Sequence, residues 1–74
     1  MTFVAETTEF PRSSNLAGAS FDPETDTLTI EFRSGARYDY FNVPASTYRA
    51  LQGAVSAGEY FARHIRGRFA YEEV

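Results

Sequence analysis

One run of the chain, residues 28–44, changes its periodicity partway along. The apolar residues of its first part come at every second position: Leu28, Ile30, Phe32, Tyr38 and Tyr40. Gly35 interrupts this alternation, and from Pro44 the apolar spacing becomes helical. A period of two is typical of a strand with one buried face, and Gly can adopt the positive φ of a tight turn. The pattern predicts an antiparallel hairpin followed by a helix.

Turn residues divide the first half of the chain into strands. Asp22 and Pro23 occupy the first two positions of a predicted turn, because Asp accepts backbone hydrogen bonds and Pro has the φ that the second position needs. This turn separates a predicted strand at 16–21 from one at 27–32, and residues 36–41 form a third strand. The three strands make an antiparallel meander.

The second half of the chain is predicted to form two short helices. Pro44 suits the first turn of one helix, where its missing N–H would be unbonded anyway. Ser56 and Glu59 have the spacing of a capping box at the start of the other helix, and Val55 is placed for a hydrophobic staple. Gly67 is suited to end this second helix in a left-handed conformation.

The predicted architecture is α+β: a three-stranded antiparallel meander, two short helices packed on one face, and an optional short strand at 69–71. Residues 1–12 are mostly polar and are predicted to be a flexible arm, with a short edge strand as the alternative. Residues 13–74 form a single domain. Ten residues are assigned to its core: Leu28, Ile30, Phe32, Tyr38, Tyr40, Tyr48, Leu51, Tyr60, Phe61 and Ile65.

Composition limits the chemistry that the chain can perform. It has no Cys, no Lys and one His, so it lacks a thiol nucleophile and a Schiff-base amine. Arg63 and Arg66 flank His64 and oppose the imidazolium that a general base must become. We therefore predict that the protein is not an enzyme and needs no metal or cofactor. The lack of cysteine, of a signal-peptide pattern and of a membrane-spanning apolar stretch predicts a cytoplasmic protein.

Short motifs with a recognisable order and spacing extend over residues 13–71: Ser13-Ser14-Asn15-Leu16, Phe21-Asp22, Leu28-x-Ile30-x-Phe32, Gly35, Tyr38-x-Tyr40, Val43-Pro44, Tyr48, Leu51, Ala54, Ser56-x-Gly58-x-Tyr60-Phe61 and Ile65. Together they resemble the KTSC domain, a family named for the C-terminal extension of some lysyl-tRNA synthetases and also found as small bacterial proteins. Ser20 and Phe21 stand where the family usually has Gly and Tyr. The resemblance implies no established activity, and RNA binding has been proposed for the family from its synthetase context.

The two tyrosines of the second hairpin strand have two interpretations. Aromatic side chains at Tyr38 and Tyr40 could stack nucleic-acid bases. They alternate with Arg37 and Asp39, however, and a sheet in register puts both rings on the side of the neighbouring strand's apolar residues. We therefore predict that the tyrosines belong to the core, under the helices.

Positive charge is concentrated in the second half of the chain. The first 32 residues carry one Arg against six acidic residues, whereas the next 36 carry six Arg against two. Arg63, Arg66 and Arg68 lie close together, and the guanidinium group binds phosphate and stacks on bases. The leading hypothesis is weak binding of RNA, either tRNA or single-stranded, through these three and Arg37. Internal ion pairs are the alternative for the arginines, and the rival function is a protein-interaction or self-association module.

Overall fold

Five antiparallel strands, hydrogen-bonded in the order in which they occur in the chain, form the sheet of the described domain. The computed structural model describes residues 6–74. Its elements are β1 (Glu6–Glu9), β2 (Leu16–Asp22), β3 (Thr27–Phe32), β4 (Arg37–Tyr40), α1 (Ala45–Gly53), α2 (Ala57–His64) and β5 (Tyr71–Glu73). The α+β class is confirmed, and the predicted three-stranded meander corresponds to the centre of this larger sheet, β2–β4.

Two edge strands extend the sheet beyond the predicted meander. Residues 6–9, which belong to the predicted arm, pair with β2 as the edge-strand alternative describes; residues 1–5 lie outside the described residues. At the other edge, Tyr71 pairs with Tyr40 in β5, which begins two residues later than the predicted terminal strand. The sequence of β1, Glu-Thr-Thr-Glu, has no alternation of apolar and polar residues. The hydrophobic pattern therefore does not indicate that this segment pairs as a strand.

The hairpin register places the two tyrosines on the helix side of the sheet. Tyr38 lies opposite Ile30 and Tyr40 lies opposite Leu28, and residues directly opposite each other share a face. On the other side of β3, strand β2 continues the same apolar face after a bulge near its start. Gly18 lies at that bulge, and a Cβ there would come within 3.0 Å of the Thr8 carbonyl oxygen. A larger residue at position 18 would therefore require β1 to shift by a few tenths of an ångström.

The ends of the helices follow the predicted signals in part. Pro44 is the residue before α1 rather than within its first turn. The Ser56 hydroxyl accepts a hydrogen bond from the backbone N–H of Glu59 at 3.2 Å, which caps α2 as predicted. The predicted hydrophobic staple is wrong, because Ala54 leaves α1 in an extended conformation and the Val55 side chain projects fully into solvent.

The core lies between the inner face of the sheet and the two helices. Seven of the ten residues assigned to it are buried, and the other three, Phe32, Tyr38 and Tyr60, are half-buried and pack against it. Six further residues complete the core: Phe10, Leu16, Ala19, Phe21, Val43 and Ala57. Half-buried rings at the β3–β4 end show that the helices cover this end of the inner face incompletely.

Candidate functional site

The four arginines in the RNA-binding hypothesis do not form one cluster. Arg37 lies opposite Glu31 on β4, on the outer face of the sheet, away from the helices. Arg63 projects from α2 and forms an exposed ion pair with Glu59 at 3.5 Å. Only Arg66 lies at the incompletely covered end of the inner face. The sequence spacing therefore overstates how closely these side chains are grouped.

Five aromatic rings form a closed circuit of contacts at this end of the domain: Phe32, Tyr38, Tyr71, Tyr40 and Phe61. Each ring contacts two others, with centroids 5.5 to 5.8 Å apart. These are the separations at which aromatic pairs attract each other in edge-to-face and tilted geometries. These mutual contacts stabilise the arrangement of the five rings.

The five rings line an open groove with a volume of about 560 Å³, which we call the aromatic groove. Tyr40 and Phe61 form its floor and are 5% and 3% exposed. Tyr71 is 60% exposed and forms a wall on the edge strand β5. Four polar or small residues and one cation complete the lining: Asn15, Ser34, Ala36, Gly67 and Arg66. The groove thus combines apolar ring faces with a positive charge.

A tight turn after α2 positions Arg66 at the aromatic groove. The Arg66 backbone N–H donates to the Phe61 carbonyl at 2.9 Å, and the Arg68 N–H donates to the Ile65 carbonyl at 3.0 Å. Gly67 has a φ of 76°, the left-handed conformation predicted for it, three residues beyond the end of the helix. This conformation favours glycine, because a Cβ would crowd the backbone. The turn therefore depends on Gly67.

The environment of Tyr40 shows that Arg66 acts electrostatically on the groove. Burial raises the pKa of the Tyr40 hydroxyl above its ordinary value, and the neighbouring Tyr71 and Tyr38 hydroxyls raise that pKa further. Arg66 lowers it, since a positive charge favours the tyrosinate form. Glu73 lies opposite Tyr38 in the register and hence on the same face of the sheet as the aromatic groove.

The outer face of the sheet has the opposite electrostatic character. Register places five acidic residues on it: Glu9, Asp22, Glu31, Asp39 and Glu72. Arg37 is the one basic residue among them within the strands described here. Asp39 accepts a hydrogen bond from the Thr29 hydroxyl at 2.6 Å. The acidic side chains would repel a phosphate from this face. Arg37 therefore lies on the opposite face of the sheet from the groove, in surroundings of opposite charge.

Asp22 and His64, the other residues with candidate chemistry, make contacts within the domain. Asp22 accepts a hydrogen bond from the Glu24 backbone N–H at 2.9 Å, the turn geometry that its sequence predicts. His64 is exposed and packs against Tyr60 with ring centroids 4.5 Å apart. Across residues 6–74, no three His, Asp or Glu side chains lie together as a metal site requires. Neither described helix has the length and apolarity to cross a membrane.

Two side-chain roles seen in the structure are absent from the sequence predictions. Tyr71 is part of the aromatic groove, yet it stands in a three-residue strand next to two glutamates, so no alternation indicates its face. Arg33 has a structural role: its guanidinium donates to the Phe10 carbonyl at 2.7 Å and to the Ser13 carbonyl at 3.1 Å. This side chain anchors the segment between β1 and β2.

These features define a small α+β domain in which two helices cover part of a five-stranded antiparallel sheet and leave an aromatic groove at one end. The family model for the KTSC domain matches residues 12–69. The chain belongs to the KTSC domain family.

Known proteins support this assignment at the levels of sequence and fold. A lysine–tRNA ligase from Nostoc sp. is 42% identical over 64 residues, which cover 86% of this chain and 11% of the ligase. The chain thus spans a small part of that relative. An uncharacterised protein from Stutzerimonas stutzeri is 44% identical over 50 residues, 68% of this chain and 70% of that protein. The crystal structure of a KTSC domain protein from Yersinia pestis superposes with a TM-score of 0.89 at 28% identity, covering 96% of this chain and 99% of that one.

Proposed function

We propose that this KTSC domain is a non-enzymatic binding module that contacts RNA weakly through Arg66 and Arg68 beside the aromatic groove. One observation carries the proposal: Arg66 stands at a groove lined by five aromatic rings and, within residues 6–74, has no carboxylate at ion-pair distance. Cations next to exposed ring faces are the combination that binds single-stranded nucleic acids. Arg68 follows in the same turn and is exposed.

The relatives support RNA as the ligand. Segments similar to this chain occur in proteins named lysine–tRNA ligases, so a domain of this kind is part of proteins whose name specifies a tRNA. The cytoplasmic location predicted from composition is consistent with such a ligand and is part of the proposal.

The charge distribution explains why the binding is expected to be weak. The chain carries a net charge of −3, whereas nucleic-acid-binding domains are usually basic. Most of the acidic strand residues lie on the outer face, but Glu73 shares the face of the groove. Two arginines therefore provide the attraction, and Arg63 contributes less because the Glu59 carboxylate lies 3.5 Å from it.

The salt dependence of binding tests this proposal. Two phosphate contacts to single-stranded RNA predict a roughly seven-fold loss of affinity between about 50 and 200 mM salt. Fluorescence anisotropy with a labelled single-stranded RNA measures this for the wild type and for Arg66→Gln/Arg68→Gln, in which the slope should nearly vanish. Arg37→Gln, on the outer face, is the matched control and should bind like the wild type. Equal binding by the double variant and the wild type would refute the proposal.

The exposed edge of β5 favours self-association as a second candidate function. Tyr71 and Val74 are 60% and 63% exposed at this edge, and β5 has a strand partner on one side only within the described sheet. An unprotected edge can pair with the same edge of a second copy. Sedimentation equilibrium should then show a dimer that Val74→Asp disrupts, and a monomer at all protein concentrations would exclude this function.

A further inference from the structure

We infer that the aromatic groove holds one unpaired RNA base, stacked on Tyr71 with its edge against Tyr38, while Arg66 contacts the adjacent phosphate. The inference rests on the proposed RNA binding and adds to it the part of the RNA that is recognised. It makes the domain selective for single-stranded segments, loops or ends over continuous duplex.

The exposure of the rings indicates where a base would stack. Tyr71 contacts Tyr40 and Tyr38 with its plane tilted by 35° and 58° to theirs, yet 60% of the residue remains exposed. Since Tyr40 is almost completely buried, it supports the Tyr71 ring from below. Tyr38 is half-buried on the neighbouring strand, so its ring continues the accessible apolar surface. Because these two rings are tilted by 58°, a flat ligand can stack on Tyr71 and meet Tyr38 with its edge, without displacing the floor of the groove.

The positive charge of Arg66 favours anionic ligands over cationic ones among the molecules that could pack on the aromatic rings. Aromatic clusters also bind quaternary ammonium groups, but Arg66 would repel such a cation from this groove. A nucleotide instead offers a planar base for the rings and an anionic phosphate for the guanidinium. The volume of about 560 Å³ lies within the usual range of small-molecule pockets. A base and its phosphate therefore match the groove in shape and charge.

Base pairing would prevent this mode of binding. In a duplex, each base is stacked between its neighbours and its flat face is inaccessible to side chains. Stacking on Tyr71 requires a free base face, so a base must leave its stack in the duplex before it can contact this ring. Arg66 and Arg68 can still reach the phosphates of a duplex, which would give residual, salt-sensitive binding without base contacts.

The decisive experiment compares three RNA probes of equal length: a labelled oligoadenylate, an abasic oligomer and a blunt duplex. The 74-residue chain is titrated with each probe by fluorescence anisotropy. Tyr71→Ala removes the exposed ring, Tyr71→Phe keeps it, and Val74→Ala is the control at the same strand edge. We expect Tyr71→Ala to weaken oligoadenylate binding about five-fold or more, the usual effect of losing one base stack, with no effect on the abasic probe. Tyr71→Phe and Val74→Ala should bind like the wild type.

The outcomes separate this inference from the proposed function. Equal, salt-sensitive binding of all three probes, insensitive to Tyr71→Ala, would overturn the base-stacking inference and leave phosphate binding intact. Binding of no probe would overturn both and favour a protein partner.

Because the chain has no Trp, tyrosine fluorescence gives a second readout. Quenching by oligoadenylate but not by the abasic probe is expected, and absence of quenching with bound oligoadenylate would also contradict stacking. Circular dichroism of Tyr71→Ala checks that the variant is folded.

Discussion

A hydrogen bond between Tyr48 and Thr8 links strand β1 to helix α1, in addition to the pairing of β1 with β2, and can be tested by a double-mutant cycle. The two hydroxyl oxygens are 2.7 Å apart, and the Gln52 side-chain amide donates to Thr8 at 2.8 Å. Tyr48 is 1% exposed, and its ring stacks on Phe21 with centroids 5.2 Å apart. The Tyr48 hydroxyl thus depends on Thr8 for a partner.

The two single substitutions should differ in cost. Tyr48→Phe keeps the stacked ring and loses one hydrogen bond, which lowers the free energy of unfolding by about 1 kcal/mol. Thr8→Val leaves the Tyr48 hydroxyl buried without a partner, which costs about 2 kcal/mol. The double variant has no unpaired buried hydroxyl, so it should be more stable than Thr8→Val alone. Its coupling energy is then about 2 kcal/mol, since the double variant should cost only about 1 kcal/mol.

Urea unfolding of the four proteins measures this cycle. For a domain of this size, about 1 kcal/mol shifts Tm by roughly 4–8 °C, so thermal unfolding resolves the same differences. Thr7→Val is the matched control, because Thr7 lies on the same strand but is exposed. If Thr8→Val is no more costly than Thr7→Val, or if the two single effects simply add, β1 is not held by this hydrogen bond and the reasoning fails.

Three further predictions concern backbone conformation and the ionisation of Tyr40. Gly53→Ala should raise the free energy of unfolding by about 0.5 kcal/mol, because Gly53 lies in helix α1 and Ala favours the helix. Gly67→Ala should lower the free energy of unfolding by about 1 kcal/mol, because Gly67 has a φ of 76°. Equal effects of the two substitutions in urea unfolding would contradict this prediction. Because the pKa of Tyr40 is raised in the folded state, the folded protein binds the Tyr40 hydroxyl proton more tightly than the unfolded chain does. The stabilisation from this tighter proton binding is complete below about pH 10, the pKa of a free tyrosine, and is lost as pH rises through the folded-state pKa. Tyr40→Phe should therefore gain stability relative to the wild type above about pH 10. Urea unfolding of both proteins at several pH values measures this, and a difference in unfolding free energy that does not change with pH would refute it. Arg66→Gln should raise the Tyr40 pKa further, measured by tyrosinate absorbance; an unchanged or lower value would place Arg66 away from that hydroxyl.

The central hairpin was predictable because its information is local. Leu28 and Ile30 alternate with polar residues, and a turn at Gly35 then fixes the direction of the returning strand. Period-two alternation identifies the buried face of each strand, so Tyr38 and Tyr40 could be assigned to the helix side from the sequence alone. The cap at Ser56 and the α+β class follow from equally local signals. Each of these features involves residues close together in the chain.

The candidate site was less predictable because distant segments create it. Alternation assigns Tyr40 to a face but does not reveal that β5 adds Tyr71 beside it, or that the turn after α2 brings Arg66 to the same groove. Conversely, Arg63 and Arg66 are neighbours in sequence, yet the end of the helix separates them, and Arg63 pairs with Glu59.

Repeating patterns and local turns were enough to indicate the family, the class of fold and the central hairpin. The two edge strands of the sheet, and the meeting of five rings from four elements around one groove, arise from tertiary structure. Strand register and helix docking, rather than spacing along the chain, determine which side chains share a surface. The tyrosines predicted to be core are also the lining of the candidate binding site.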